Sequence, residues 1–140
     1  MKQLTFLLSI VLIFTFTLTT IAKDAEENWQ QFSKSLVSTL KSNHAGLKQS
    51  AMQRVIQHSE NLDVKDAAFD IYNVYRFSDN VKVRQLALVA LYNTNYAWAI
   101  NQIAIDRETE ELPALKKQMT FMVNEYFKEK SKEYDSLASN

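Results

Sequence analysis

The sequence predicts an all-α chain of about six helices, stacked as antiparallel pairs. Glycine and proline, the two residues that most readily interrupt regular structure, occur once each in 140 residues. Apolar residues recur at spacings of three and four from Trp29 to Leu137, and strand-like alternation is absent. A pattern of cap, apolar, basic and small residue also returns along the chain at intervals of 36 and 32 residues, in the range of stacked helical repeats.

Composition removes several kinds of chemistry. With no cysteine there is no disulfide, no thiolate nucleophile and no cysteine-based zinc or iron–sulfur site. Sixteen basic residues balance sixteen acidic ones without a basic run, which is not the charge footprint of a nucleic-acid binder.

The first stretch reads as an address rather than as fold. Lys2 is the only charge before an apolar run over residues 4–21. Ala22 and Thr20 stand at −1 and −3 ahead of the polar Lys23-Asp24-Ala25-Glu26-Glu27, the order of a signal peptide over residues 1–22. The expectation is therefore export, to a periplasm or out of the cell, with residues 23–140 as one domain. The alternative is an uncleaved anchor, because residues 4–22 are nearly long enough to span a bilayer; no other contact with a membrane is expected. Without cysteine there is no acylation site of the lipoprotein kind.

The helices follow in order. Asp24 is positioned to cap the first, whose Trp29, Phe32, Leu36 and Leu40 share one face with Ser33. Asn43 is the candidate cap of the second, which carries Leu47, Ala51, Met52, Val55 and Ile56 on its apolar side and ends near His58. Asp63 is the candidate cap of the third, with Val64, Ala67, Ala68, Ile71 and Tyr75 inward. Asp79 or Asn80 opens the fourth, over residues 81–92, which is apolar around most of its circumference. Asn93 or Asn95 starts the fifth, with Tyr96, Ala99, Ile100 and Ile103 as its stripe. Residues 106–111 read as an acidic linker, and Pro113 begins the last helix at the position it tolerates best. That helix carries Leu115, Met119, Met122, Val123, Tyr126 and Phe127, with Tyr134 and Leu137 in the same phase.

The repeat aligns Asn43, Leu47, Lys48, Ala51 and Val55 with Asp79, Val83, Arg84, Ala87 and Leu91, and again with Glu111, Leu115, Lys116, Met119 and Val123. Val64, Ala67, Ala68 and Ile71 align in turn with Tyr96, Ala99, Ile100 and Ile103. On Asp79, Val83, Arg84, Ala87, Ala90 and Leu91, followed by Ala99, Ile100 and Ile103, the chain resembles the HEAT-repeat family. The likeness is good for residues 79–105, fair for 43–75 and partial for 111–127. It implies a short right-handed α-solenoid, polar contacts between units from Asp79 and Arg84, and a concave surface lined by the second helices. It specifies architecture rather than activity.

Catalytic or metal-binding patterns are sparse. His44 and His58 are too far apart for a one-turn metal pair and read as solvated or capping residues. Asp66 and Asp70, one turn apart, are the nearest approach to a paired-carboxylate acid and base, and a solvated helix face explains them as well. No glycine-rich phosphate loop and no nucleophile elbow occur. Neither an enzyme nor a bound cofactor or metal is expected. The candidate binding surface lies opposite the core stripes: Asp66, Phe69, Asp70 and Asn73 on the third helix, and Trp98, Asn101, Gln102 and Ile105 on the fifth. Gln31, Lys34 and Ser35 occupy the comparable side of the first. Aromatic residues beside amides suit a protein or peptide partner. The competing explanation buries Trp98 and Ile105 beneath the last helix or its Tyr134–Leu137 extension. Two further readings are self-association through the end near Trp98 and Phe121, and a small ligand-binding protein or enzyme using Asp66 and Asp70.

Overall fold

The computed structural model describes Glu26 and residues 28–138, and among these the only regular structure is helical. Helix α1 covers residues 28–41. It is followed by α2 (Ala45–Gln57), a 3-10 turn (Lys65–Ala67) that runs into α3 (Ala68–Phe77), α4 (Val81–Asn93), α5 (Ala97–Thr109) and α6 (Pro113–Ala138). The all-α class expected from the sequence is the class observed. The export segment over residues 1–22 and the proposed Asp24 cap lie outside the described residues.

Helix α4 is the hub, packing against α2, α3, α5 and α6. Ala87, Leu88, Ala90 and Leu91 are all fully buried, which accounts for its apolar circumference. Its closest approaches are to α3 and α2, and α5 pairs most extensively with α6. The pair α4–α5, marked as a unit by the sequence repeat, is therefore not the tightest pair in space. Axis separation depends on the side chains at the contact, and alanines line the close approaches: Ala51 on α2, Ala68 on α3, Ala87 and Ala90 on α4. Around them sit the large buried residues Leu40, Met52, Ile71, Tyr75, Ile103, Leu115 and Met119.

Most of the helix starts differ by a residue or two from the sequence reading. Helix α2 begins after His44, which makes no side-chain cap bond, so Asn43 is not its cap. The third helix opens with Val64 at the cap position of the 3-10 turn; the Asp63 carboxylate instead accepts from Lys65 N–H at 3.4 Å, while Asp63 N–H donates to Ser33 Oγ. Asn80, rather than Asp79, caps α4 through Oδ1, which accepts from the backbone of Lys82 and Val83. Helix α5 starts after Tyr96, because Asn95 turns the chain with a positive φ of 48°. Asparagine tolerates that left-handed geometry better than other residues with a Cβ.

Four burial assignments also change, and the first is Tyr96, expected on the inward stripe of α5 but 39% exposed. Leu47 is 54% exposed: the first turn of α2 stands clear, and a Cβ placed on Gly46 would meet nothing within 4 Å. Residues 106–109 are helical rather than linker, and Asp106 is buried. Every residue of α6 from Phe127 to Leu137 is exposed, so Phe127, Tyr134 and Leu137 continue the core phase past the point where anything remains to cover it.

Candidate partner-binding surface

Helices α3 and α5 lie side by side, and their outward residues meet in a cluster of four rings. The Trp98 ring centre is 6.2 Å from Phe69, 5.7 Å from Tyr72 and 6.1 Å from Tyr96. Interplanar angles of 48°, 73° and 36° make these tilted and edge-on contacts, the arrangements favoured by aromatic quadrupoles. Trp98 and Tyr72 are half-buried by their neighbours, while Phe69 and Ile105 are 60% and 62% exposed. Burial of Ile105 beneath the last helix is thereby ruled out, and Tyr134 and Leu137 cover nothing because they are themselves exposed. Trp98 is half-buried because it packs against the core as well as against Phe69, Tyr72 and Tyr96.

The other residues expected on this surface divide among its edges. Asn101 is exposed and Gln102 half-buried, both on α5 beside the cluster. Asn73 lines a groove of about 460 Å³ between α2, α3 and α4, with Lys48, Val74, Phe77 and Val83. Asp66 lines a recess of about 560 Å³ against α1, with Trp29, Lys34, Asp63 and Lys65. Asp70 is half-buried between these depressions. A single continuous trough along all three helices is therefore replaced by a ridge of rings with a depression on each side of α3. Gln31, Lys34 and Ser35 are exposed on α1. His58 ends α2 and packs its ring 5.5 Å from Trp29, so it contributes contact as well as a helix terminus.

Toward the C-terminal ends of α3 and α5 lie two polar groups that the sequence reading missed. Arg76 Nη1 is 3.3 Å from Asp106 Oδ1, linking α3 to α5. The other oxygen, Asp106 Oδ2, is buried without a hydrogen-bond partner. Burial and the adjoining Asp106 carboxylate push the Tyr72 phenol up from its usual range, and Asp106 holds the Arg76 guanidinium more firmly protonated. The second group is tighter. Glu110 Oε2 accepts from Arg84 Nη2 at 2.7 Å and from the Tyr75 hydroxyl at 3.0 Å, while Oε1 accepts from Leu112 N–H at 3.1 Å. Arg84 Nε also donates to the Tyr75 carbonyl at 3.0 Å, and its guanidinium lies 5.2 Å from the Tyr75 ring centre.

Burial acts to raise the Glu110 carboxyl, but the Leu112 N–H, the Tyr75 hydroxyl and Arg84 outweigh it and hold it below the ordinary carboxylate range. Burial and Glu110 together push the Tyr75 phenol strongly up. Arg84 on α4 thus bonds to Tyr75 on α3 and to Glu110 at the end of α5, while Asp79 is exposed at the surface. The sequence did hold a signal for Asp106: it stands three residues after Ile103 and continues the buried stripe of α5.

Among the described residues no three His, Asp or Glu side chains converge to hold a metal, and no helix is long and apolar enough to cross a membrane. No protein-family model matches the chain, and no curated protein or solved structure does either.

Proposed function

We propose that the chain is an exported, non-catalytic interaction module, a short HEAT-like stack that binds a protein or peptide along the outward face of α3 and α5. The observation that carries this reading is the ring cluster of Phe69, Tyr72, Tyr96 and Trp98, in which Phe69 and Tyr96 stay exposed with Ile105 beside them. Large aromatic residues with partly fixed rings lose little entropy on binding and dominate the energetics of protein contacts. The Arg76–Asp106 ion pair supports the same reading, because it ties together the two helices that carry the rings. Export rests on the order of charge, apolar run and small residues over residues 1–22.

The test is co-purification from the exporting cell, comparing the natural chain with Phe69→Ala/Trp98→Ala. Removing two central aromatic contacts is expected to cost at least about 2 kcal/mol, roughly a thirtyfold loss of partner affinity. An identical set and amount of partners with the double variant would refute the surface.

A second reading, self-association, is favoured by the bare length of α6, where Phe121, Phe127, Tyr134 and Leu137 are all exposed. It requires a molar mass that rises with concentration in light scattering and returns to the monomer value in Tyr134→Glu/Leu137→Glu. A constant monomer mass would dispose of it.

A further inference from the structure

We infer that the partner of the α3–α5 face presents a basic side chain, lysine or arginine, next to an apolar one, in a peptide segment that crosses α3. This inference rests on the interaction reading above and names the chemistry of the partner. Its basis is the charge that the fold leaves unmatched beside the rings.

Asp70 directly follows the exposed Phe69 in the first turn of α3, and Asp66 stands in the 3-10 turn that leads into that helix, so the two carboxylates flank the ring along the chain. Neither carboxylate takes part in an ion pair or a hydrogen bond among the described residues. Asp70 is nonetheless half-buried, so it gives up part of its hydration without a partner among the described residues. The nearby positive charges do not cancel this. Lys34 and Lys65 line the recess with Asp66, yet neither comes within ion-pair distance of it. Arg76, the next cation along α3, is engaged by Asp106, and Arg107 on α5 is engaged by Glu108 at 2.6 Å. What remains open here is two carboxylates and a set of aromatic faces.

Both attract the same ligand group. A cation over Trp98 or Phe69 gains from the ring quadrupole, and the same cation within reach of Asp66 or Asp70 gains from their charge. Asn73, one turn beyond Asp70 on α3, can hydrogen-bond to the peptide backbone, while Ile105 and Tyr72 extend apolar contact to the neighbouring side chain. An acidic segment would meet uncompensated repulsion at the same place. A neutral segment would leave the carboxylates unmatched.

The experiment titrates the folded chain, carrying Trp29→Phe so that Trp98 is the sole tryptophan, with three synthetic decapeptides of alternating sequence: leucine–lysine, leucine–glutamine and leucine–glutamate. Trp98 fluorescence is read at low and at moderate salt. The expected result is that the lysine peptide binds at least about tenfold more tightly than the glutamine peptide at low salt. The advantage should shrink as salt screens it, and it should vanish in Asp66→Asn/Asp70→Asn, a change of partly exposed groups that leaves the core intact. Equal binding of the lysine and glutamine peptides overturns the inference, as does tighter binding of the glutamate peptide, or an unchanged lysine preference in the asparagine variant. Failure of all three peptides to bind also overturns it. Co-purification with Phe69→Ala/Trp98→Ala then judges the general interaction reading separately.

Discussion

Replacing Glu110 with alanine is expected to lower the unfolding free energy by about 3–5 kcal/mol, the cost of removing one partner from a buried ion pair. Its side chain is 6% exposed and accepts from three donors, Arg84, Tyr75 and the Leu112 backbone. The alanine variant leaves the Arg84 guanidinium, itself largely buried, facing Tyr75 without a counter-ion, and strands the Tyr75 hydroxyl. The loss exceeds that of a surface pair because both side chains are largely withdrawn from solvent, which replaces the missing acceptor only in part. Arg84→Met/Glu110→Leu should cost less than either single truncation, since it removes both charges and retains volume. Urea denaturation of the three variants measures the difference. A Glu110→Ala chain within about 1 kcal/mol of the natural one would mean that water reaches the site and rescues the stranded donors.

The same residue sets an acid limit. The Glu110 carboxyl is held below its ordinary range in the folded chain, so the folded state binds the proton less readily than the unfolded state does. The stabilisation is fully present above the unfolded value of about 4.3 and is lost as pH falls through the depressed folded value. Melting temperature should accordingly fall more steeply below about pH 4 in the natural chain than in Glu110→Gln, which has no carboxyl to protonate.

The inward faces of the helices were legible because a 3.6-residue period follows directly from helix geometry. Val64, Ala67, Ala68, Ile71 and Tyr75 were expected together, and all five are buried. What the period does not report is whether a neighbour lies over a given turn. One repeat position illustrates this. Leu47, Val83 and Leu115 occupy equivalent places in the sequence, yet the first is exposed, the second half-buried and the third fully buried. Leu47 lies on a first turn that stands clear, Val83 borders an open groove, and Leu115 sits where α6 packs on α5 and α4. Tyr134 and Leu137 repeat the lesson at the other end, where the phase persists after the core has ended.

The candidate surface was legible in its two principal aromatics and less so in its surroundings. Phe69 and Trp98 stood out as rings on faces otherwise polar, and the structure brings them into contact. Tyr72 was passed over because it lies at the border between the core stripe and the outward face, where periodicity assigns no side. Asp106 and Glu110 were concealed by composition. Four acidic residues within residues 106–111 resemble a solvated linker, and nothing in that run distinguishes a carboxylate that meets water from one that meets an arginine on another helix. That distinction depends on Arg76 and Arg84, which are 30 and 26 residues away in the chain.

Leu91→Ala tests the opposite kind of site, one that the sequence identified correctly and the structure places at the centre. Leu91 is fully buried on α4, the helix against which four others pack. Its equivalents in the sequence repeat, Val55 and Val123, are buried as well. Truncating an interior leucine costs about 2–5 kcal/mol, and the value within that range depends on how far the surroundings can close over the cavity. Here they have little freedom to do so. Ala87, one turn before it on the same face of α4, and Ala90 beside it are buried residues with no rotamers to swing inward. A loss of about 4 kcal/mol is the expected result, against a total stability of roughly 5–15 kcal/mol for a domain of this size. In a thermal melt followed by circular dichroism this should appear as a fall of about 10–20 °C. Leu137→Ala, at an exposed position of the same phase, should move the midpoint by only about 0.5 kcal/mol or less. If the two variants melted alike, Leu91 would not be the interior residue that its burial indicates, and α4 would not be the helix on which the others are assembled.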